Sequence, residues 1–249
     1  MTKKTTDLGI KKKEKIGGKL TLLVLLSLIM PTIAGVIIGV KEITNQGTIY
    51  MIQFVAIAVG CLLALIWARL SSFTFKELGF RKFTVGKWLM GLLVIEGLAS
   101  AGGMKNHIEL TEWVWLVLFM LAVGVFEELI YRGLILNYIQ KSSRKKAILL
   151  SAGLFGIGHL VNVLGGAALN LTVVQIVFAG LFGIVTAELV MLTGSILPVM
   201  VWHTCHNILS NLTNSSVTTE LIVVGVQCLV LALMAVLLWR QLFSNNLIS

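Results

Sequence analysis

The chain has 249 residues and a formal net charge of +9, and 57% of its residues are hydrophobic while only 12% are charged. Soluble domains usually carry about 25% charged residues, so this composition excludes a water-covered globular domain and indicates a polytopic membrane protein. The net charge does not indicate nucleic-acid binding, because the lysines crowd the first 19 residues and the short loops, as the positive-inside rule describes for membrane proteins.

Eight apolar segments follow one another along the chain and predict an all-α bundle of about eight transmembrane helices. They cover about residues 20–40, 48–68, 88–104, 113–136, 147–164, 172–193, 195–210 and 220–239. A helix needs about 20 residues to span a bilayer, so the third, fifth and seventh segments are short, and we expect them to be tilted or to end in polar cavities. The chain has only two prolines, which favours continuous helices.

The basic residues predict that both the N-terminus and the C-terminus lie in the cytosol. In this orientation all of the 20 Lys and Arg residues except Lys41 and Lys105 fall on the cytosolic side, which is the bias that the positive-inside rule describes. The longest cytosolic connection, residues 71–87, alternates phenylalanine with basic residues. We expect it to lie along the membrane interface.

Titratable side chains inside spanning helices are costly in free energy and mark functional sites by default. In this sequence they are Glu96, Glu127, Glu128, Arg132, His159, Glu188, His203 and His206. Two of these side chains, Glu127 and Glu128, are adjacent in the stretch GVFEELIYRG, so their relative directions decide which of them is available for chemistry.

Helical geometry separates the two adjacent glutamates. Each residue of an α-helix turns by about 100°, so Glu128 and Arg132, which are four residues apart, lie on one face and can form an ion pair. Glu127 points about 100° away from Glu128 by the same geometry. We therefore expect Arg132 to neutralise Glu128, whereas Glu127 keeps a free carboxylate.

Two later segments carry histidines at a similar depth in the membrane. His203 and Asn207 are four residues apart on the seventh segment, and His159 follows Phe155 by one turn on the fifth. With a rise of 1.5 Å per residue, Glu127, His159 and His203 lie about 12–18 Å from the cytosolic face. These side chains are therefore expected to meet around one wet cavity, nearer the cytosolic side.

Three short motifs carry these residues in order along the fourth, fifth and seventh segments. EELIYR fits the pattern EExxxR, FGIGH fits FxxxH, and HTCHN fits HxxxN. Together with the eight apolar segments, they resemble the CPBP family of intramembrane endopeptidases, also called the Abi or CAAX-protease-and-bacteriocin-processing family, to which the Rce1-type CAAX prenyl proteases are related. The resemblance covers roughly residues 87–210.

The resemblance implies a catalytic role for four residues. Glu127 would be the general base that activates water, and His159 would hold that water or stabilise charge. His203 and Asn207 would form the side of the site that stabilises the oxyanion. This set suits peptide hydrolysis, which needs a nucleophilic water, a base, and donors directed at the developing negative charge.

Three further residues would support this site. The resemblance implies that Glu128 and Arg132 organise the fourth helix, with Phe155 as the aromatic residue of the FxxxH motif. The implied substrate is a membrane-embedded or lipidated peptide in contact with the lipid bilayer. Its cleavage would serve CAAX-type processing, bacteriocin or pheromone maturation, or self-immunity, and a multi-pass protein of a bacterial plasma membrane is expected.

The resemblance and the apolar segments together divide the chain into four parts. Residues 1–19 form a basic cytosolic tail, and residues 20–86 contain two transmembrane helices and an amphipathic cytosolic loop. Residues 87–210 form the CAAX-protease-like catalytic core. Residues 211–249 contain the last transmembrane helix and a tail.

The residues leave the use of a metal cofactor open. Glu127, His159 and His203 could supply three zinc ligands with a free fourth position, as in catalytic zinc sites, but no HExxH motif puts two ligands on one helix. A glutamate-activated water without bound metal is equally compatible with these residues. We favour the glutamate mechanism and keep Zn²⁺ as the alternative.

Two other classes of function compete with the protease. A non-enzymatic bacteriocin-immunity or membrane scaffold protein would keep the fold without the chemistry, but the complete set of Glu127, His159, His203 and Asn207 argues against lost catalysis. A proton-coupled transporter would also use intramembrane Glu and His residues. Such transporters usually show internal repeats and interrupted helices, which are not evident in this sequence.

Overall fold

The computed structural model describes residues 2–84, 86, 88–101, 103–164 and 166–244, and it describes no side chains for residues 2–15, 89 and 164. Met1 of the predicted basic tail and residues 245–249 of the predicted C-terminal tail therefore lie outside the described residues. The division into four parts stays a prediction.

The described chain is built from α-helices joined by short connections, and one helix contains a π-helical segment. The helices are α1 Thr2–Val40, α2 Gln46–Leu70, α3 Leu89–Ser100, α4 Leu110–Glu128, the π-helical segment Leu129–Ile135, α5 Leu136–Gln140, α6 Arg144–Gly158, α7 Val161–Leu164, α8 Leu169–Thr193, α9 Leu197–Leu212 and α10 Val217–Phe243. α4, the π-helical segment and α5 follow one another without a break, so they form one long element.

Within the described residues, six helical stretches are long and apolar enough to cross a membrane. They are Ile16–Val40, Gln46–Leu70, Leu110–Gln140, Arg144–Val163, Leu169–Thr193 and Val217–Phe243. The third and seventh predicted segments form the shorter helices α3 and α9, with 12 and 16 residues, whereas the fifth reaches 20 residues and is long enough to span. The predicted all-α polytopic membrane fold is confirmed, and the side that each terminus faces stays a prediction.

The bundle is arranged around the long element that begins with α4. α4 packs against α2 and α9, and the π-helical segment contacts α1, α2, α6 and α8. α8 packs against α6 and α10, and the short α3 lies against α9 and α10. The helices that carry the three sequence motifs therefore surround one central region.

The π-helical segment Leu129–Ile135 is the main departure from the predicted regular helix, and all seven of its residues are buried. A π-helix has wider i→i+5 turns and is commonly found at functional sites. Side chains from nearby complete its backbone hydrogen bonding: Ser151 Oγ donates to the Tyr131 carbonyl at 2.8 Å, and Asn137 Nδ2 donates to the Gly133 carbonyl at 2.7 Å. The wider turn changes the directions of the residues that follow the two glutamates.

The loop between α2 and α3 is fastened to the start of α9. Ile196 N–H donates to the Gly79 carbonyl at 2.9 Å, and Ser195 Oγ donates to the Arg81 carbonyl at 2.8 Å. Gly79 has a φ of +91°, and a Cβ there would lie 2.9 Å from Ile196 Cγ2, so this close approach requires glycine. The loop thus fixes the point at which α9 enters the bundle.

The same loop is held in shape by hydrogen bonds to a carboxylate. Thr74 donates both its backbone N–H and its hydroxyl to Glu77 Oε2, each at 2.8 Å. These bonds, helped by the positive charges of Lys141 and Arg81, hold the pKa of the Glu77 carboxyl below its ordinary value. Asn137 Nδ2 donates to the Glu77 carbonyl at 2.9 Å, so the loop is also joined to α5.

A side chain at position 124 should push α4 away from α9. A Cβ on Gly124 would overlap Thr204 Oγ1 and lie 3.1 Å from the Met200 carbonyl oxygen. Because overpacking typically costs about 1–3 kcal/mol, we expect Gly124→Ala to lower the thermal unfolding midpoint of the detergent-purified protein. The control is Gly153→Ala in α6, where a Cβ meets nothing within 4 Å. A wild-type midpoint in Gly124→Ala would contradict this close packing.

Candidate active site

Two adjoining cavities lie between the helices where the sequence motifs meet. The first cavity has a volume of about 300 Å³, and the second has a volume of about 280 Å³. Glu127, His159, His203 and Asn207 all line the first cavity. His159, His203 and Asn207 also line the second cavity, so these three residues belong to the wall that both cavities share. The structure thus brings together the four residues that the sequence singled out.

The two adjacent glutamates have different surroundings, as helical geometry predicted. The Glu127 side chain is 26% exposed and faces the first cavity, whereas the Glu128 side chain is fully buried. Arg132 is also fully buried, and its Nε lies 3.2 Å from Glu128 Oε2. Because the N–H bond is not directed at that oxygen, the contact is an ion pair without a well-aligned hydrogen bond. The predicted pairing of Glu128 with Arg132 is confirmed.

His203 connects both glutamates. Its Nδ1 donates to Glu128 Oε1 at 2.9 Å, and its Nε2 lies 3.6 Å from Glu127 Oε2. A supporting role through Arg132 alone was expected for Glu128, and its direct contact with His203 was not predicted. The carboxylate of Glu128 fixes the ring orientation of His203, so Nε2 faces Glu127 and the first cavity.

Arg132 is enclosed by groups from two further helices. Its Nη2 donates to Thr186 Oγ1 at 2.5 Å, and its guanidinium carbon lies 4.5 Å from the centre of the Phe155 ring. A guanidinium group over an aromatic face gains electrostatic stabilisation, which grows when water is absent. The ion pair of α4 and the π-helical segment is therefore held against α6 through Phe155 and against α8 through Thr186.

Phe155 also separates the two imidazole rings of the site. Its ring centre lies 5.1 Å from that of His159 and 5.8 Å from that of His203, with both pairs near perpendicular. His159 follows the last residue of α6, and its Nδ1 donates to the Phe155 carbonyl at 3.0 Å. Because a carbonyl can only accept, Nδ1 of His159 carries a proton, and in the neutral ring Nε2 is an acceptor.

Sequence reasoning found Glu96 and His206 as costly intramembrane groups but assigned them no role. In the structure Glu96 Oε1 accepts hydrogen bonds from Trp202 Nε1 at 2.7 Å and from His206 Nδ1 at 3.2 Å. Glu96 is on α3, whereas Trp202 and His206 are on α9. The four-residue spacing of Trp202 and His206 was the signal that could have placed both donors on one face.

Tyr131 and Ser27 are two residues of the first cavity that the sequence analysis did not select. The Tyr131 hydroxyl and Ser27 Oγ share a hydrogen bond of 2.9 Å, and both residues line the first cavity. Tyr131 stands inside the EELIYR motif, which was a usable signal. Ser27 lies in α1, more than 100 residues away along the chain, so no local pattern could have connected it to the site.

The proposed zinc ligands do not form a metal site in this arrangement. Glu127 Oε2 and His203 Nε2 approach to 3.6 Å, but no group of three His, Cys, Asp or Glu side chains among the described residues could hold a metal ion. Nδ1 of His203 and Nδ1 of His159 both donate to oxygen acceptors, which leaves each Nε2 as the nitrogen that could bind a metal. Zinc held by Glu127, His159 and His203 therefore stays an untested alternative, and no catalytic step is derived through it.

A family model described as type II CAAX prenyl endopeptidase Rce1-like matches residues 109–209. The matched range contains all three sequence motifs and the partners of Glu128 and Arg132 described above, namely His203, Thr186 and Phe155. No significant similarity was found to a curated protein or to a solved structure. Residues 109–209 of this chain are thus similar to the Rce1-like protease family, and the resemblance of the three motifs to the CAAX protease family is confirmed.

Proposed function

We propose that this protein is an intramembrane endopeptidase that hydrolyses a peptide bond of a membrane-associated or lipidated peptide with a water molecule activated by Glu127. The observation that carries the proposal is the contact between Glu127 and His203. A partly exposed carboxylate in a cavity lies 3.6 Å from Nε2 of an imidazole whose Nδ1 is held by the buried Glu128. The Rce1-like domain supports the protease class.

In the proposed first step, Glu127 acts as the general base. A water in the first cavity donates one proton to the Glu127 carboxylate and is held by Nε2 of His159, which is an acceptor while Nδ1 donates to Phe155. The water oxygen attacks the carbonyl carbon of the scissile peptide bond and forms a tetrahedral intermediate. General-base assistance of this kind typically contributes about 10²–10⁴-fold to the rate.

His203 and Asn207 supply the groups that stabilise the oxyanion. When both ring nitrogens of His203 carry protons, Nδ1–H donates to Glu128 and Nε2–H is directed toward Glu127 and the first cavity. Asn207 follows one helical turn later and lines the same cavity, so its amide N–H₂ provides a second donor. Donors that are already oriented toward the developing negative charge lower the barrier without reorganisation.

In the last step, the protonated Glu127 returns its proton to the amine leaving group. The C–N bond breaks, the carbonyl re-forms, and the products are a carboxylic acid and an amine. Glu127 is then ionised again and ready for another water. The proposed reaction consumes one water molecule and one peptide bond and needs no other reactant. Glu128 and Arg132 keep the His203 ring oriented throughout these steps.

The proposal includes a setting for the reaction. A plasma membrane of a bacterium is the expected location, with the active site nearer the cytosolic side, as the depth and charge arguments from the sequence predict. CAAX-type processing, bacteriocin or pheromone maturation and self-immunity would all use the same chemistry. A non-enzymatic immunity or scaffold protein and a proton-coupled transporter are the competing functions that the following test would reveal.

Replacing Glu127 should abolish peptide cleavage. The probe is a fluorophore–quencher peptide with a prenylated cysteine, two aliphatic residues, one further residue and a free carboxyl terminus, and a second peptide carries an acyl chain in place of the prenyl group. We expect Glu127→Gln and His203→Ala to lower kcat by about 10²–10⁴-fold. Glu112→Gln, near the start of the same helix, is the matched control. Cleavage that survives in Glu127→Gln would disprove the proposed site.

Removing both charges of the Glu128–Arg132 pair should largely preserve stability and lower activity. Glu128→Leu leaves Arg132 buried without its partner, which costs about 3–5 kcal/mol, so we expect a lower thermal unfolding midpoint and no activity. The double variant Glu128→Leu with Arg132→Met removes both charges and should regain most of the stability. Its kcat should stay low, because His203 has lost the acceptor of its Nδ1–H. Full activity in the double variant would show that Glu128 does not orient His203.

Chelation should leave the activity intact. Because the proposed mechanism uses no metal ion, the purified protein should keep its kcat after dialysis against EDTA and 1,10-phenanthroline. Metal analysis by mass spectrometry measures the metal content before and after dialysis. Zinc at a near one-to-one ratio to protein, lost together with activity in His159→Ala, would establish the metalloprotease alternative.

A further inference from the structure

Outside the first cavity, a second set of polar side chains lies within the apolar bundle. We call Glu96, Trp202 and His206 the Glu96 cluster. The side chains of Glu96 and His206 are only 13% and 11% exposed. Charged and titratable groups inside spanning bundles are costly and are retained where they serve a function, and the proposed hydrolysis gives these three residues no role.

The Glu96 carboxylate holds two donors that are one helical turn apart on α9. Oε1 accepts from Trp202 Nε1 at 2.7 Å, and the same oxygen and Oε2 lie 3.2 Å and 3.3 Å from His206 Nδ1. Because the two donors are four residues apart on one helix, a carboxylate that binds both of them defines the rotation of α9 and its position along its axis. Buried polar contacts give some proteins a conformational specificity that apolar packing alone does not supply.

The face of α9 that contacts Glu96 is next to the face that carries His203. His203 lies between Trp202 and His206 in the chain, and the Phe182 ring of α8 contacts all three, with centroid distances of 4.3 Å, 5.1 Å and 6.0 Å to Trp202, His203 and His206. Phe178 stacks on His206 at 4.9 Å. A rotation of α9 that releases the Glu96 cluster would therefore also move His203 relative to Glu127.

We propose that Glu96 is a positioning residue for the hydrolytic site, which acts by fixing the rotation of α9 through Trp202 and His206. The inference rests on the proposed function, because it assigns Glu96 to the same reaction. Glu96 does not line either cavity, so it acts through α9 and not on the substrate. The distance from His203 Nε2 to Glu127 Oε2 is the quantity that it controls.

Replacing Glu96 should lower kcat while leaving KM near the wild-type value. A displacement of about 1 Å in a catalytic group can cost about 10²-fold in rate, and we expect a loss of that order in Glu96→Leu for the prenylated peptide. Glu96→Gln keeps an oxygen that accepts from Trp202 and should recover much of the kcat. Rates are expressed per folded molecule, with the folded fraction measured by size-exclusion chromatography and thermal unfolding.

A triple variant distinguishes a positioning role of Glu96 from a role in stability alone. Glu96→Leu combined with Trp202→Phe and His206→Phe removes all three polar groups together, so none is left buried without a partner. The aromatic ring at position 206 still packs against Phe178. We expect this variant to regain thermal stability while its kcat stays low. Wild-type kcat in the triple variant, or a kcat in Glu96→Leu that equals the wild-type value, would overturn the proposal. If Glu96→Leu does not fold, Glu96→Gln and the triple variant decide the result.

Another buried carboxylate provides the matched control. Glu188 of α8 is fully buried, and its oxygens have no hydrogen-bond partner in the described part of the chain, so Glu188→Leu should leave kcat unchanged. Glu127→Gln is measured with the same peptide. If Glu127→Gln stays active, the proposed function fails. If Glu127→Gln is inactive and Glu96→Leu is fully active, only the role of Glu96 fails.

Discussion

The carboxylate of Glu128 is the group on which the arrangement of the site depends. It is fully buried in an apolar bundle, where an ionised side chain is tolerated only if other groups replace water around it. Arg132 supplies the opposite charge and His203 supplies a hydrogen bond. Arg132 in turn needs Thr186 and the face of Phe155. The solvation of one carboxylate therefore fixes side chains on α4, α6, α8 and α9 relative to one another.

The π-helical segment carries part of this arrangement on the long element that begins with α4. Within it, Arg132 reaches back to Glu128 and Tyr131 reaches Ser27 of α1. A π-helix is rare and is found mostly as a short bulge inside an α-helix, frequently at a functional site. Here Ser151 and Asn137 donate to its carbonyls, so α6 and α5 contribute to the geometry of the motif.

Local patterns predicted much of the site, because its main residues are close in sequence or on one helical face. The apolar segments predicted the helices, and the i,i+4 spacing predicted the pair of Glu128 and Arg132. Contacts between segments that are distant in sequence could not be predicted from local patterns. The hydrogen bond from His203 to Glu128 and the clamp by Glu96 depend on how α9 packs against α4 and α3, which no periodicity encodes.

The π-helical segment was also beyond the sequence patterns. Hydropathy gives the length of an apolar run but not the point where backbone hydrogen bonds change from i→i+4 to i→i+5. The sequence showed that the apolar runs of α3 and α9 are short, but it did not show which contacts determine the positions of these helices. Because α9 has only 16 residues, its position depends on contacts from the loop between α2 and α3 and from Glu96.

The walls of both cavities include residues outside the range that matches the family model. Residues 109–209 carry the proposed chemistry, but α1 and α2 contribute Ser27 and Gln53 to the first cavity, and α10 contributes Leu221 to the second. The residues of the proposed chemistry and part of the cavity walls therefore lie in different parts of the chain. Under the proposed function, changes in α1, α2 or α10 would alter which peptides enter the cavities without touching a motif residue.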